Sequence, residues 1–220
     1  MKYLKKFETE ADVDMSIVPN VVLVGDTGRI AYNAFNGVYI QHIDGSLYTT
    51  EEWTAGGFAN EQANGVAVGK GSVKFVIAKK QISSSMAWSS DTSNLVDGIV
   101  TTEDSSVAKK DYDGAKNTKL IAAIDTSKAA YSCANYVFPN GQKGYLPALG
   151  EWVAASAYKT KIDNAMTLIG GVAISSQTCL SSTQRSAANA WVYNWNYGYM
   201  NDIPKSSNNG YVRPFTALAL

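Results

Sequence analysis

The order of two hydrophobic patterns along this chain constrains its fold more than any other feature. Apolar residues alternate with polar ones in VYIQHIDGSLYT at 38–49, around an Asp-Gly turn, and alternate again from Val73 to Ile77. The stretch GYLPALGEWVAASAYKTKIDNAMTLIGG at 144–171 instead has the spacing of helices, with Pro147 near its start and two glycines at its end. Strand and loop patterns return from there to the C-terminus. Strands, then helices, then strands predict an α+β fold.

Helical spacing also marks residues 111–124 and 126–138, which we expect to form one continued helical face. Its apolar positions are Ala115, Leu120, Ile121, Ile124, Ala130, Cys133, Ala134 and Val137. Cys133 is then a small buried residue rather than a nucleophile. Residues 79–112 are rich in Ser, Thr and Asp, which predicts a long surface loop region anchored by Trp88.

Residues 1–36 differ in composition from the rest of the chain. A short polar stretch is followed by NVVLV and RIAYN, which flank a Gly-containing turn and predict a two-stranded hairpin. Such a hairpin is marginal alone, so we interpret 1–36 as an arm that packs on the main domain or on a partner. The main domain is expected to comprise residues 37–220.

Composition excludes several classes of function. Lys plus Arg and Asp plus Glu number 19 each, so the net charge is zero and a phosphate-driven nucleic-acid interface is not expected. The chain has two cysteines, Cys133 and Cys179, and one histidine, His42, too few for a disulfide framework or a multi-His metal site. No apolar run approaches the ~20 residues of a membrane span, and no apolar region follows the basic start. We therefore expect no secretory signal, no membrane insertion, no metal and no cofactor.

The segment AWVYNWNYGYMNDIPKSSNNGYVRPFTAL at 190–218 combines two Trp, four Tyr and five Asn. Trp191, Tyr193 and Trp195 alternate, so their rings share one face of a strand. Asn-Tyr-Gly at 196–198 predicts a turn, after which Tyr199 to Ile203 pairs back. A hairpin rich in Tyr and Asn is typical of a binding surface. We expect the two Trp to pack on the core and Tyr193, Tyr197 and Tyr199 to be exposed; packing of all the rings on the core is the alternative.

An ordered series of short motifs carries a resemblance to a known family. GYLPALGEW, LSSTQ, AWVYNW and YVRPFTAL follow one another, after GVYIQHIDGSLYTTEEWTAGGFANEQANGVAV and DGAKNT. The series, spanning roughly 37–218, resembles the C-type-lectin-fold variable proteins of diversity-generating retroelements, particularly those of Bacteroides phages and prophages. The resemblance implies a C-type lectin-like fold with mixed and antiparallel strands, two main helices and long loops.

In that family a retroelement mutates template adenines, so the resemblance implies a variable region at about 179–211. The implied ligand-binding positions are Arg185, Tyr193, Asn194, Asn196, Tyr197, Tyr199, Met200, Asn201, Asp202 and Ile203, followed by Ser207, Asn209 and Tyr211. The implied scaffold is Ser181, Ser182, Thr183, Ala190, Trp191, Trp195, Gly198, Val212 and Arg213. One departure is Cys179-Leu180, where the family often has an aromatic pair; these two positions are themselves diversified or the register differs there.

The resemblance implies a display protein that binds a bacterial surface protein or glycan receptor. Phage tail proteins are candidate partners of the N-terminal arm, an oligomer is compatible with the sequence, and the expected location is the virion or the host cytoplasm before lysis. The alternative function is a structural or adhesive domain of a phage tail or bacterial surface that is not diversified.

The residues give less support to an enzymatic function or to calcium-dependent sugar binding. Formylglycine-generating oxidases share the fold but depend on paired cysteines, and calcium-dependent lectins use Glu-Pro-Asn or Gln-Pro-Asp and Trp-Asn-Asp triplets that this chain lacks. We interpret His42 as a strand residue beside a turn, and Glu151 as a structural residue rather than an acid catalyst. Arg213 is expected to be a scaffold residue paired with a buried carboxylate.

Overall fold

The computed structural model of this protein describes residues 36–175 and 177–218, together with the backbone of 21–24 and 29–32. Within these ranges the strands are β1 Val21–Val24, β2 Arg29–Tyr32, β3 Gly37–His42, β4 Leu47–Tyr48, β5 Ala63–Lys70, β6 Val73–Ile77, β7 Ser83–Met86, β8 Thr178–Gln184, β9 Asn189–Asn194, β10 Tyr199–Pro204, β11 Gly210–Val212 and β12 Phe215–Ala217. The helices are α1 Thr50–Gly56, α2 Ser105–Ala108, α3 Gly114–Ile124, α4 Ala129–Asn135, α5 Leu149–Ser156 and α6 Lys159–Leu168, with a 3-10 turn at Asn60–Gln62. The predicted α+β class is confirmed.

Two five-stranded sheets organise the main part of the chain. The first sheet has the order β12-β6-β5-β3-β4 and is antiparallel throughout. The second sheet has the order β10-β9-β8-β11-β7, in which only β11 and β8 run parallel. Because β12 joins the first sheet while β8 to β11 build the second, the C-terminal segment holds both sheets together.

Strands β1 and β2 pair antiparallel with each other, from Val21 opposite Tyr32 to Val24 opposite Arg29. The two predicted strands of the N-terminal hairpin are thus confirmed. The turn between them, and residues 1–20 of the predicted arm, lie outside the described residues.

Two apolar clusters pack against opposite faces of the second sheet. The first cluster joins that sheet to α5, α6 and the first sheet, and includes Ile40, Phe75, Trp152, Ile162, Tyr193, Trp195 and Phe215. The second cluster joins the other face to α3, α4 and the 79–112 region, and includes Trp88, Ile121, Cys133, Leu180, Val192 and Val212. The centre of the second sheet is therefore buried on both faces, which gives its outer strand and turn a rigid base.

The helical region is more divided than the sequence predicts. The described ranges hold six helices rather than two main ones, and the continued face expected over 111–138 breaks into α3 and α4. The Asp125 carboxylate accepts hydrogen bonds from the backbone N–H groups of Ser90 (2.8 Å) and Ser127 (3.2 Å), which ties this junction to the preceding loop. Ile124 is consequently 61% exposed, contrary to its expected place on the buried face, whereas Cys133 is buried as predicted.

No helix in the described part of the chain is both long enough and apolar enough to cross a bilayer.

Candidate functional site

Strands β9 and β10 form the hairpin that the alternation at 190–203 predicts. Tyr199 pairs with Asn194, and the register continues to Pro204 opposite Asn189. At the turn, the backbone N–H of Gly198 donates to the Asn194 carbonyl (2.9 Å), and that of Tyr197 donates to the Asn194 side-chain oxygen (3.1 Å). Asn194 thus closes the turn with both its backbone and its side chain. Strand β10 is an edge strand of the second sheet.

The end of this hairpin carries an exposed aromatic pair. Tyr197 is 73% exposed and Tyr199 is 47% exposed, so the predicted exposure of these two residues is confirmed. Their rings are stacked, with centroids 6.1 Å apart and an interplanar angle of 25°. Asn196 and Asn201 are exposed beside them. We call Asn196, Tyr197, Tyr199 and Asn201 the hairpin patch.

Tyr193 differs from its two neighbours, and its predicted exposure is wrong. It is only 5% exposed and belongs to the first cluster together with Trp191 and Trp195. The three rings lie on one face of β9, as the alternation predicts, but that face is the one that α5 and α6 cover. Packing of the two Trp on the core is confirmed, and the same packing includes Tyr193, whose ring lies 6.1 Å from that of Trp195.

The positions implied as variable on β10 are divided between the two faces of the sheet. Met200 lies opposite the inward-facing Tyr193 and packs against the first cluster. Asn201 lies opposite Val192, and Ile203 packs against the second cluster. The implied binding positions therefore do not form one continuous face. Tyr211, on β11, is half-buried in the interior of the sheet.

Arg185 and Asp202, both implied as binding positions, contact each other. The guanidinium donates to Asp202 Oδ2 at 2.8 Å, and the Asn189 side chain donates to the same oxygen at 2.7 Å. The guanidinium also lies 5.7 Å from the centre of the Trp191 ring. Both charged side chains are half-buried, and their contact joins the segment between β8 and β9 to β10.

The scaffold positions implied on β8 form part of a buried polar network. All three side chains, Ser181, Ser182 and Thr183, are fully buried. The Thr183 hydroxyl donates to Asp111 Oδ2 (2.7 Å) and accepts from the backbone N–H of Leu149 (2.9 Å). Asn117 donates to the same Asp111 oxygen at 2.9 Å. This network connects β8 to the starts of α3 and α5, a role for Asp111 and Asn117 that no local pattern in the sequence indicates.

Glu151 caps the N-terminus of α5. Its Oε2 accepts from the backbone N–H of Ala148 (2.7 Å), and its Oε1 accepts from the Tyr145 hydroxyl (2.7 Å). Burial raises the pKa of the Glu151 carboxyl to about 8, and the nearby Asp111 and Asp113 act in the same direction. A carboxyl held between a helix end and a tyrosine matches the structural interpretation from sequence.

Arg213 is buried, but its expected carboxylate partner is not found. Among the described residues its guanidinium donates to the carbonyl of Val172 (2.8 Å) and the side-chain oxygen of Gln81 (2.8 Å). Longer bonds reach the carbonyls of Ala78 and Lys79 (3.3 Å each). Burial lowers the pKa of Arg213 to about 10. The segment after β6 and the segment after α6 thus supply carbonyl oxygens in place of a counter-charge.

Lys205, a residue that the sequence did not single out, is buried just after β10. Its ammonium donates to Gln184 Oε1 (2.6 Å) and to the Asn94 carbonyl (3.1 Å), and it lies 4.7 Å from the Trp88 ring centre. Burial lowers the pKa of Lys205 to about 8. These contacts attach the 79–112 region to the second sheet, behind the hairpin.

The two cysteines are free and buried in different apolar clusters, Cys133 in the second and Cys179 in the first. Burial raises the pKa of the Cys179 thiol to about 12 and that of Cys133 well above its ordinary value. Cys179 lies opposite the buried Tyr193, so a larger side chain at 179 would have to displace core residues.

His42 is the last residue of β3, as expected, and its ring lies 5.6 Å from that of Phe58. No cluster of three or more His, Cys, Asp or Glu residues that could hold a metal occurs in the described part of the chain.

A groove of about 710 Å³ lies between α3, α4 and β12, lined by Ala122, Tyr131 and Lys143 among others. None of the hairpin patch residues contributes to this groove.

The geometry defines an α+β domain in which a hairpin rich in tyrosine and asparagine lies at the edge of a sheet that is covered by apolar clusters on both faces. Comparison with models of known families, with curated proteins and with solved structures finds no match for this chain.

Proposed function

We propose that this chain is a receptor-binding display protein with a C-type lectin-like fold, whose C-terminal region at about 179–211 is diversified by a retroelement. The observation that carries the proposal is the stacked, exposed pair Tyr197 and Tyr199 on a hairpin whose inner strand β9 is buried from residue 190 to residue 193. The ordered motif series described above supports the family and the diversification.

The division between exposed and buried positions agrees with a display role. Substitutions in the hairpin patch leave both apolar clusters intact, because its side chains belong to neither. The scaffold hydroxyls on β8 are buried and bonded, so they hold the hairpin while patch residues change. Buried positions within 179–211, above all Cys179 and Tyr193, tolerate only changes that preserve core volume.

The proposed partner is a protein or glycan on the surface of a bacterial host, without a metal or cofactor. Residues 1–36 are proposed to attach the domain to other tail proteins, with the virion as the site of action. The second candidate is a fixed structural or adhesive domain, which shares the fold but lacks diversification.

The first test is genetic. The locus around codons 179–211 is sequenced and searched for a near-copy beside a reverse transcriptase gene. We expect the copy to differ only at adenines, and to place those adenines in the codons of the hairpin patch. A locus without any such copy leaves the fixed structural domain as the better proposal.

The second test is binding. A variant with all four patch residues changed to Ala is compared with wild type for retention on Bacteroides cells and for thermal unfolding. We expect retention to fall to background while Tm stays within a few degrees. Tyr112→Ala is the matched control, because Tyr112 is 46% exposed and lies before α3, outside the hairpin. Equal retention of the two variants contradicts the proposed surface.

A further inference from the structure

We propose that the hairpin patch binds an uncharged saccharide, with one sugar ring stacked on the free face of Tyr197. This inference rests on the proposed display function and names the chemical class of its ligand.

The size of the patch favours a small ligand unit over a protein surface. A stable protein interface engages roughly 20–30 residues on each side. The positions implied for binding contribute far fewer exposed side chains, because Tyr193 is in the core, Arg185 and Asp202 are paired with each other, and Met200 packs inward. Among the implied positions, the four patch residues are the exposed group around the tyrosine pair, a size suited to one or two sugar rings.

The arrangement of the two tyrosines leaves one apolar face open. Tyr199 stacks against one side of the Tyr197 ring, and Tyr197 remains 73% exposed. A tyrosine ring presents a flat apolar face, which is complementary to the C–H face of a pyranose. The exposed amides of Asn196 and Asn201 supply both donors and acceptors for sugar hydroxyls.

The turn is held in place before any ligand binds. Asn194 accepts from the backbone N–H groups of Tyr197 and Gly198, and the Lys159 ammonium donates to the Asn196 carbonyl at 3.1 Å. Little conformational entropy is then lost when a ligand stacks on Tyr197, which favours binding through a small contact.

The charges around the patch favour a neutral ligand. The four patch side chains are two phenols and two carboxamides, with no carboxylate, ammonium or guanidinium group among them. The charges of Arg185 and Asp202 offset each other at 2.8 Å. Among the described residues, the Lys159 ammonium contacts the turn, where it donates a hydrogen bond to a backbone carbonyl.

The experiment uses the full chain on an array of immobilised neutral and acidic oligosaccharides, followed by calorimetric titration with the best-retained neutral one. We expect Tyr197→Ala to weaken binding at least about tenfold and Tyr197→Phe to change it by less than about twofold, because Phe keeps the stacking ring. Tyr112→Ala is expected to leave the affinity unchanged, whereas Lys159→Met, which removes one hydrogen bond of the turn, is expected to weaken binding by less than about threefold. Unfolding curves check that each variant is folded.

Retention of only acidic saccharides, with loss in Lys159→Met, overturns the neutral ligand. Retention that Tyr197→Ala leaves unchanged overturns the stacking role. If no saccharide is retained but Bacteroides cells bind wild type and not the patch variant, the ligand is a protein and the display function still stands. If neither saccharides nor cells are bound and the locus has no adenine-variable copy, the display function itself fails.

Discussion

Tyr193 and Tyr197 are four residues apart and have opposite environments. Tyr193 packs beside Trp195 in the first cluster, whereas Tyr197 contacts Tyr199 at the end of the hairpin. The same side chain thus contributes to stability at one position and to the surface at the other. The difference arises because other elements pack over the face of β9 on which Tyr193 lies, whereas no element in the described ranges packs over the turn that carries Tyr197.

The two tyrosines should therefore respond differently to truncation. We expect Tyr193→Ala to lower the free energy of unfolding by about 3–5 kcal/mol, as for other buried aromatic residues, and Tyr197→Ala to change it by less than about 0.5 kcal/mol. Urea unfolding of both variants measures this. Equal losses would mean that Tyr197 is also a packing residue and would count against the proposed patch.

Glu151 should make the stability of the domain depend on pH. Its pKa is raised in the folded state to about 8 from an ordinary value of 4.5, so the folded state binds more protons than the unfolded state between these values. The stability from this group is fully present below pH 4.5 and is lost as pH rises towards 8. We expect Tm to fall from pH 5 to pH 8, and to fall less in Glu151→Gln.

Gln is a suitable replacement because its oxygen still accepts from the Ala148 N–H and its amide can donate to the Tyr145 hydroxyl. Both proteins share every other titrating group, so the difference between their two pH profiles isolates position 151. Parallel profiles would show that the Glu151 carboxyl is not the group that takes up the proton on folding.

At the scale of elements, the turn between β9 and β10 depends on one backbone conformation. Gly198 has φ of 73°, in the left-handed region, and the nearest atom to an added Cβ is the Tyr193 hydroxyl at 3.9 Å. A side chain here meets no steric obstacle, so any cost of substitution comes from the backbone alone.

We expect Gly198→Ala to lower the free energy of unfolding by about 1–2 kcal/mol and Gly198→Asn to lower it by less, because Asn adopts the left-handed region more readily. Chemical unfolding of the pair measures the difference. An Ala variant as stable as wild type would indicate that the turn adopts another conformation.

Helix boundaries were less predictable than the hairpin. The start of α1 has a local signal, because Thr49 and Glu52 form a capping box there. The break between α3 and α4 was not predicted; Asp125 accepts there from the N–H of Ser127 and from that of Ser90, a residue 35 positions earlier. Contacts over such a separation leave no local periodic signal.

At the scale of the whole molecule, Arg213 joins segments that are distant in sequence. It lies between β11 of the second sheet and β12 of the first, and it binds the segments after β6 and after α6. A buried guanidinium with carbonyl partners satisfies several acceptors at once, and each would lose its donor without it.

We expect Arg213→Lys to lower the free energy of unfolding by at least about 2 kcal/mol, because an ammonium cannot reach the Gln81 and Val172 oxygens with the same planar geometry. Arg185→Lys is the control, since Arg185 is partly exposed at the hairpin and bonds a single carboxylate. A loss at Arg213 no larger than at Arg185 would show that the buried contacts contribute little.

Local pattern by itself determined the α+β class, the strands of both predicted hairpins, the turn at 196–198 and the burial of Trp191, Trp195 and Cys133. These follow from the sequence because side-chain period, turn residues and apolar character are properties of short segments. Only the tertiary structure decided that Tyr193 is buried, that β10 divides its side chains between two faces, and that Arg213 binds carbonyl oxygens. Each of these three outcomes depends on which distant element packs against a given surface. The packing of the two sheets against α5 and α6 decides this, and it involves residues far apart in the sequence.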